Sequence, residues 1–202
     1  CERAASYIKD GFTALKFDPV GPYSAFDPRQ LSLEMLDFTE KFVKQLRETV
    51  GNKVDLLFGT HGQMTPVGAI KLAKKLEKFD LLWFEEPTPP DMPEEMARVA
   101  AATSIPVATG ERLATKYEFA RVLRHNAASI LQPAIGRVGG IMETKKIAAI
   151  AETHYAQMAP HLYAGPIEAA ANLHVDLSTP NFLIQESIGK LGNFHAELLQ
   201  KP

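Results

Sequence analysis

The sequence predicts an α/β fold of the (β/α) TIM-type barrel kind, incomplete, with about seven of eight strands. Three observations carry that expectation. Short apolar runs alternate with amphipathic helical stretches along the whole chain, and that order implies a parallel sheet. The runs are continuously hydrophobic rather than alternating, as strands buried on both faces are. Residues able to do chemistry follow the strands at His61, Glu85, Glu111, Gln132, His161 and Glu186. They recur about 25 residues apart, which suits one strand-helix pair of a barrel whose strand carboxyl ends converge on one site. An open doubly wound sheet would gather such residues near a single switch point instead.

The expected strands are Thr13 to Phe17, Val54 to Phe58, Leu81 to Phe84, Ile105 to Ala108, Ala128 to Leu131, Gln157 to Ala159 and Phe182 to Ile184. Pro19 to Gln30, with three prolines, reads as a long loop after the first strand. Leu36, Phe42, Val43 and Leu46 recur at helical spacing, and Gly51 suits the C-terminal cap of that helix. Thr65-Pro66 starts the next helix, with Pro in the first turn. Val67, Ile70, Ala73 and Leu76 are its expected apolar face. Thr115 to Glu118 form a capping box ahead of Phe119, Val122 and Leu123. From Gly140, the expected buried set is Ile141, Ile147, Ala148 and Ile150. One domain over residues 1–202 is expected.

Composition bounds the function. The 202 residues are 46% hydrophobic and 23% charged, with a net charge of −2, an ordinary globular balance. Lys and Arg are scattered, so no basic face suggests nucleic acid. No apolar run approaches the roughly 18 residues of a membrane helix, and the opening residues lack a signal-peptide core. Cys1 is the one cysteine, which leaves neither a disulfide framework nor a thiolate metal cluster. A cytoplasmic setting is the default expectation. The chain also starts without Met, in what reads as mid-helix, so a piece of a longer protein is expected.

The chemistry is carried by a few short stretches. In WFEEPTPP (residues 83–90), side chains alternate across a strand, so only one of Glu85 and Glu86 can point inward. An isolated Glu-Glu also suits a solvated loop. IPVATGERL repeats the logic one unit later, with Glu111 behind Gly110. Two carboxylates on adjacent strand ends could hold a hard cation such as Mg²⁺. His161 in MAPHLYAG follows an apolar strand and a proline; a core histidine is the bland alternative. Lys16 in TALKF sits within a strand, where snorkelling to a rim is the bland alternative. His61 lies in LLFGTHGQM, just past a strand that stops at a glycine, and Glu186 lies in LIQES.

Taken in order, Lys16, the His61 turn, WFEEP, ATGERL, LQPAIGRVGG, APHLYAGP and LIQES resemble the enolase superfamily. Within it they are similar to the mandelate racemase/muconate lactonizing enzyme branch, nearest its acid-sugar dehydratases. The resemblance runs over nearly the whole chain. It implies a Mg²⁺ enzyme that removes a proton alpha to a carboxylate and stabilises the enediolate. It places the metal carboxylates on Glu85 and Glu111 and the seventh-strand base on His161. The second-strand lysine falls on Lys16, and the last-strand acid, which helps polarise the substrate carboxylate, on Glu186. His61 matches a histidine that protonates the departing hydroxyl in galactonate-type dehydratases.

The departures are as informative. The family's third metal ligand, an Asp, falls on Gly59, which has no side chain. Asp55 lies roughly 13 Å back along the strand and cannot replace it. The Asp that orients the family's histidine falls on Ala134, so His161 is expected to lack that partner. The second lysine of a Lys-x-Lys pair falls on Asp18. The family's capping domain, first barrel strand and C-terminal return segment have no counterpart in these residues. Three readings follow. The first is a Mg²⁺-dependent lyase on a sugar acid, with Lys16 or His161 as base and His61 as acid. The second is a cycloisomerase or racemase acting on an anhydro or lactone sugar acid. The third is a degenerate, inactive relative. An unclosed barrel exposes strand edges, so a homo-oligomer is expected.

Overall fold

Parallel strands cannot be joined by a tight turn; each pair needs a crossover, usually helical. The chain supplies one every time. The structure, a computed structural model, describes residues 1–20 and 28–188. Its strands are β1 (Ala14–Phe17), β2 (Asp55–Gly59), β3 (Trp83–Glu85), β4 (Val107–Thr109), β5 (Ile130–Leu131) and β6 (Gln157–Met158). They form one sheet in the order β1-β2-β3-β4-β5-β6, parallel at each pairing resolved. The helices are α1 (Glu2–Lys9), α2 (Leu33–Val50), α3 (Pro66–Leu76), α4 (Pro93–Ala100), α5 (Lys116–Arg124), α6 (Ile135–Val138), α7 (Ile141–Glu152) and α8 (Pro166–Leu177). Residues 21–27, within the expected loop after β1, lie outside the described residues. Among the described residues, no helix is long and apolar enough to cross a membrane.

β1, β3, β4 and β5 are shorter than their apolar runs and sit toward the carboxyl ends, β2 is as long as its run and shifted by one residue, and β6 keeps the first two residues of its run. Leu82 N already donates to Leu56 O at 2.9 Å, ahead of β3 proper. The seventh expected strand, Phe182 to Ile184, is reduced to a single bridge. Met158 N donates to Asn181 O and Leu183 N to Met158 O, each at 2.8 Å, and the pairing goes no further. Among the described residues the sheet therefore has six strands, with the seventh run joined to it by that bridge, not seven strands.

The chain divides into two compact units. The first comprises Cys1–Ala108 and His125–Ala128. Its register sets Lys16 opposite Leu57, Gly59 opposite Glu85, and Glu85 opposite Ala108. Phe58 and Phe84 are fully buried with ring centroids 5.1 Å apart. Ser32 caps α2 by accepting from Met35 N, and Gly51, at φ +68°, ends it with its N–H on Arg47 O. Thr65 caps α3 as expected. Its buried face is not the expected one, however. Ala69, Leu72, Ala73 and Leu76 are buried, while Val67 is 44% exposed. A set spaced by threes drifts around a helix of 3.6 residues per turn, whereas 69, 72, 73, 76 stays on one stripe.

The second unit comprises Thr109–Arg124 and residues from Ser129 onward. Thr109 O accepts from Gln132 N, and Ile130 and Leu131 pair with Gln157 and Met158. The capping box forms: Glu118 Oε2 accepts from Thr115 N at 2.7 Å, and Thr115 Oγ1 accepts from Glu118 N. Phe119, Val122 and Leu123 are buried behind it. In α7 the buried stripe is Thr144, Ile147, Ala148 and Ala151, with Ile141 exposed. Thr144 fits that stripe because its hydroxyl donates to Gly140 O.

Candidate active site

The six residues singled out by sequence fall into two clusters, one in each unit.

In the first unit, Glu85 ends β3 with 1% of its side chain exposed. Burying a carboxylate alone is costly. Here Lys16 Nζ lies 2.6 Å from Oε1, and Trp83 Nε1 donates to Oε2 at 3.0 Å. Trp83 and Glu85 share a strand face because they are two residues apart. Lys16 keeps 26% of its side chain exposed, so the pair is buried mainly at the carboxylate. Glu86 is buried too, in the left-handed region at φ +37°, which breaks the strand just before Pro87. Gly62 N donates to Glu86 O, and Thr60 N to Glu85 O, so the strand end is tied to the turn that follows β2.

That turn carries His61. Its Nδ1 lies 3.7 Å from Asp18 Oδ2. Asp18, one residue past β1, is held in place by accepting from Val20 N at 3.1 Å. Asp18 was not among the expected site residues. Its spacing was the available signal: two residues beyond Lys16, it belongs to the same side of the chain as Lys16.

In the second unit, His161 Nδ1 lies 2.7 Å from Glu186 Oε2 and 3.5 Å from Glu111 Oε2. Ala134 stands where the family has Asp, and a different carboxylate, Glu186, lies beside the His161 ring. Ala134 only pairs backbone with His161, and Glu186 holds the ring instead. Glu186 is itself fixed, since its Oε2 also accepts from Leu162 N at 2.8 Å. Glu111 reaches the cluster through Gly110, at φ +144°. A Cβ there would meet Gln132 backbone atoms and Phe119 at 2.8 Å, so only glycine fits.

The chemistry differs between the clusters. The first pairs an ammonium with a buried carboxylate and an imidazole with a second carboxylate. The second holds one imidazole between two carboxylates. Of the two ring nitrogens of His161, Nδ1 is the one at ion-pair distance from the carboxylates. Among the described residues, no group of three or more His, Cys, Asp or Glu side chains is placed to hold a metal.

Comparison with known proteins agrees with the fold. The chain is 39% identical over 185 residues to a D-gluconate/D-galactonate dehydratase of Picrophilus torridus, covering 92% of this chain and 46% of that protein. It is 38% identical over 199 residues to a D-galactonate dehydratase of Xanthomonas oryzae pv. oryzae, covering 98% and 51%. The chain thus spans about half the length of the curated relatives it matches. Among solved structures, a candidate mandelate racemase/muconate lactonizing enzyme of Labrenzia alexandrii DFL-11 superposes with a TM-score of 0.96 at 61% identity. That match covers 100% of this chain and 52% of the other. A mandelate racemase/muconate lactonizing enzyme from a Sulfitobacter species gives 0.94 at 54%, covering 98% and 50%. The Enolase C-terminal domain-like family model matches residues 1–202, and the chain belongs to that family.

Proposed function

We propose that this chain carries the chemistry of an acid-sugar dehydratase, a carbon–oxygen lyase acting on a sugar-acid carboxylate. The observation that carries the reading is His161 with its Nδ1 2.7 Å from Glu186 and 3.5 Å from Glu111. In it, His161 Nε2 takes the proton alpha to the substrate carboxylate, and Glu186 stabilises the imidazolium that results. The electron pair left on the alpha carbon forms the double bond as the beta carbon–oxygen bond breaks. His61, with Asp18 beside it, gives the departing hydroxyl its proton, and water leaves. Lys16, held on Glu85 as an ion pair, is the less suited of the two candidate bases. Its positive charge serves the enediolate better.

Mg²⁺ is the cation this reading calls for, with Glu85 and Glu111 as candidate ligands, because carboxylate oxygens suit it. The donor set does not by itself make a cage for that ion. Position 59 offers no side chain, and Glu85 already carries the Lys16 ammonium. Support for the sugar-acid substrate comes from the likeness to proteins named as D-galactonate and D-gluconate/D-galactonate dehydratases. The same reading keeps the protein a cytoplasmic homo-oligomer, whose mass light scattering measures.

The test is solvent deuterium exchange at the alpha carbon of D-galactonate, D-gluconate and related sugar acids. The parent chain is expected to exchange and eliminate, and His161→Asn to do neither. Absence of exchange with every sugar acid offered would sink the proposal. Exchange without loss of water would move the reading to a racemase or cycloisomerase.

A further inference from the structure

Gly59 ends β2 opposite Glu85 in the register. It lies outside the left-handed region, so its backbone does not require glycine. What the missing side chain changes is space. A Cβ at position 59 would meet Lys16 Cε at 2.8 Å and Cγ at 3.3 Å. The lysine stem therefore lies across the bare face of Gly59, and its Nζ ends 2.6 Å from Glu85 Oε1. Glu85 is buried, and the ammonium with the Trp83 indole serves its two oxygens.

We infer that Gly59 is a positioning residue: it seats the Lys16 ammonium on Glu85, in the place a divalent cation would take. Lysine and metal are then alternative occupants of one carboxylate, and the side chain at position 59 decides between them. An Asp at 59 would supply a metal ligand and evict the lysine stem in one change. A glycine supplies no ligand and admits the lysine. The inference rests on the proposed reading only in taking Glu85 as the metal carboxylate.

Two measurements test it without activity. The first is a metal-free double-mutant cycle, with thermal unfolding in chelator of Lys16→Met, Glu85→Gln and the double variant, in parent and Gly59→Ala backgrounds. The clashing atom is the far end of a flexible side chain, so Gly59→Ala is expected to fold, which circular dichroism checks. Strong non-additivity between Lys16 and Glu85 is expected in the parent, falling to less than half in Gly59→Ala. Equal coupling in both backgrounds would overturn the positioning role. The second is Mg²⁺ titration by calorimetry. Lys16→Met and Gly59→Asp are expected to bind at least tenfold more tightly than the parent, and Glu85→Gln to cancel the gain. Unchanged or absent binding in both would overturn the claim of alternative occupancy. The dehydratase reading stands or falls separately, on alpha-proton exchange.

Discussion

The two clusters solve the same electrostatic problem in opposite ways. In the first unit a buried carboxylate, Glu85 on β3, is neutralised by a cation from β1, across the intervening β2. In the second unit a histidine is the centre, and the carboxylates Glu186 and Glu111 are arranged around it. The first arrangement makes a fixed local charge balance. In the proposed function the second is a proton carrier, because an imidazole beside carboxylates changes charge when it accepts a proton. Another buried carboxylate, Asp176 on α8, shows what happens without either solution. It is 7% exposed, and among the described residues neither oxygen has a hydrogen-bond partner. Burial alone pushes its pKa up to about 7.

These contrasts can be broken experimentally. The largest effect is expected at the proton carrier. His161→Asn is expected to lower alpha-proton exchange by about 10³-fold or more, near the upper part of what a positioned base contributes. Glu186→Gln should cost less, because it removes the orienting group and keeps the ring. If the order is reversed, the two roles are wrongly assigned.

Next comes the charge pair. Lys16→Met strands a buried carboxylate and is expected to destabilise by roughly 2–3 kcal/mol in urea unfolding, below the range for fully buried pairs because Lys16 is partly exposed. Glu85→Gln leaves only a partly exposed ammonium and should cost less.

Asp176 gives a pH signature. Its native pKa lies above the ordinary 3.8, so the native state holds that proton more tightly than the unfolded chain. Its contribution to stability is intact below about pH 4 and falls as pH rises to about 7, by up to about 1.4 kcal/mol per pH unit. Asp176→Asn should flatten that slope and gain relative stability at pH 8. Parallel urea curves for parent and variant from pH 4 to 8 would contradict the assignment.

The smallest effect lies outside both clusters. Thr115→Ala removes the α5 capping box and should cost about 1 kcal/mol, with no change in Mg²⁺ affinity. A change there would mean the second cluster depends on the start of α5.

Much of this was readable along the chain. Continuous apolar runs between amphipathic stretches announce buried parallel strands, and Ser/Thr-x-x-Glu or Thr-Pro announces a helix start, because these signals are local. His61, Glu85, Glu111, His161 and Glu186 were legible because they recur at strand ends at a regular interval, and Lys16 because a charge sits within an apolar run. The buried faces of α3 and α7 were misjudged because a small or polar residue, Ala69 or Thr144, completes the stripe. Hydrophobicity weighting passes such residues over.

Partnership was the part that could not be read. Ala134 suggested that His161 lacks a carboxylate, and Glu186, distant in sequence, provides one. Asp18 looked like a lost lysine and stands beside His61. Gly59 looked like a lost ligand and is the space that Lys16 occupies. The sequence by itself determined the order of elements and which residues stand at strand ends, since backbone period and side-chain type are written locally. Which charge meets which was decided only by tertiary structure, because ion pairing acts across angstroms of space and is indifferent to distance along the chain.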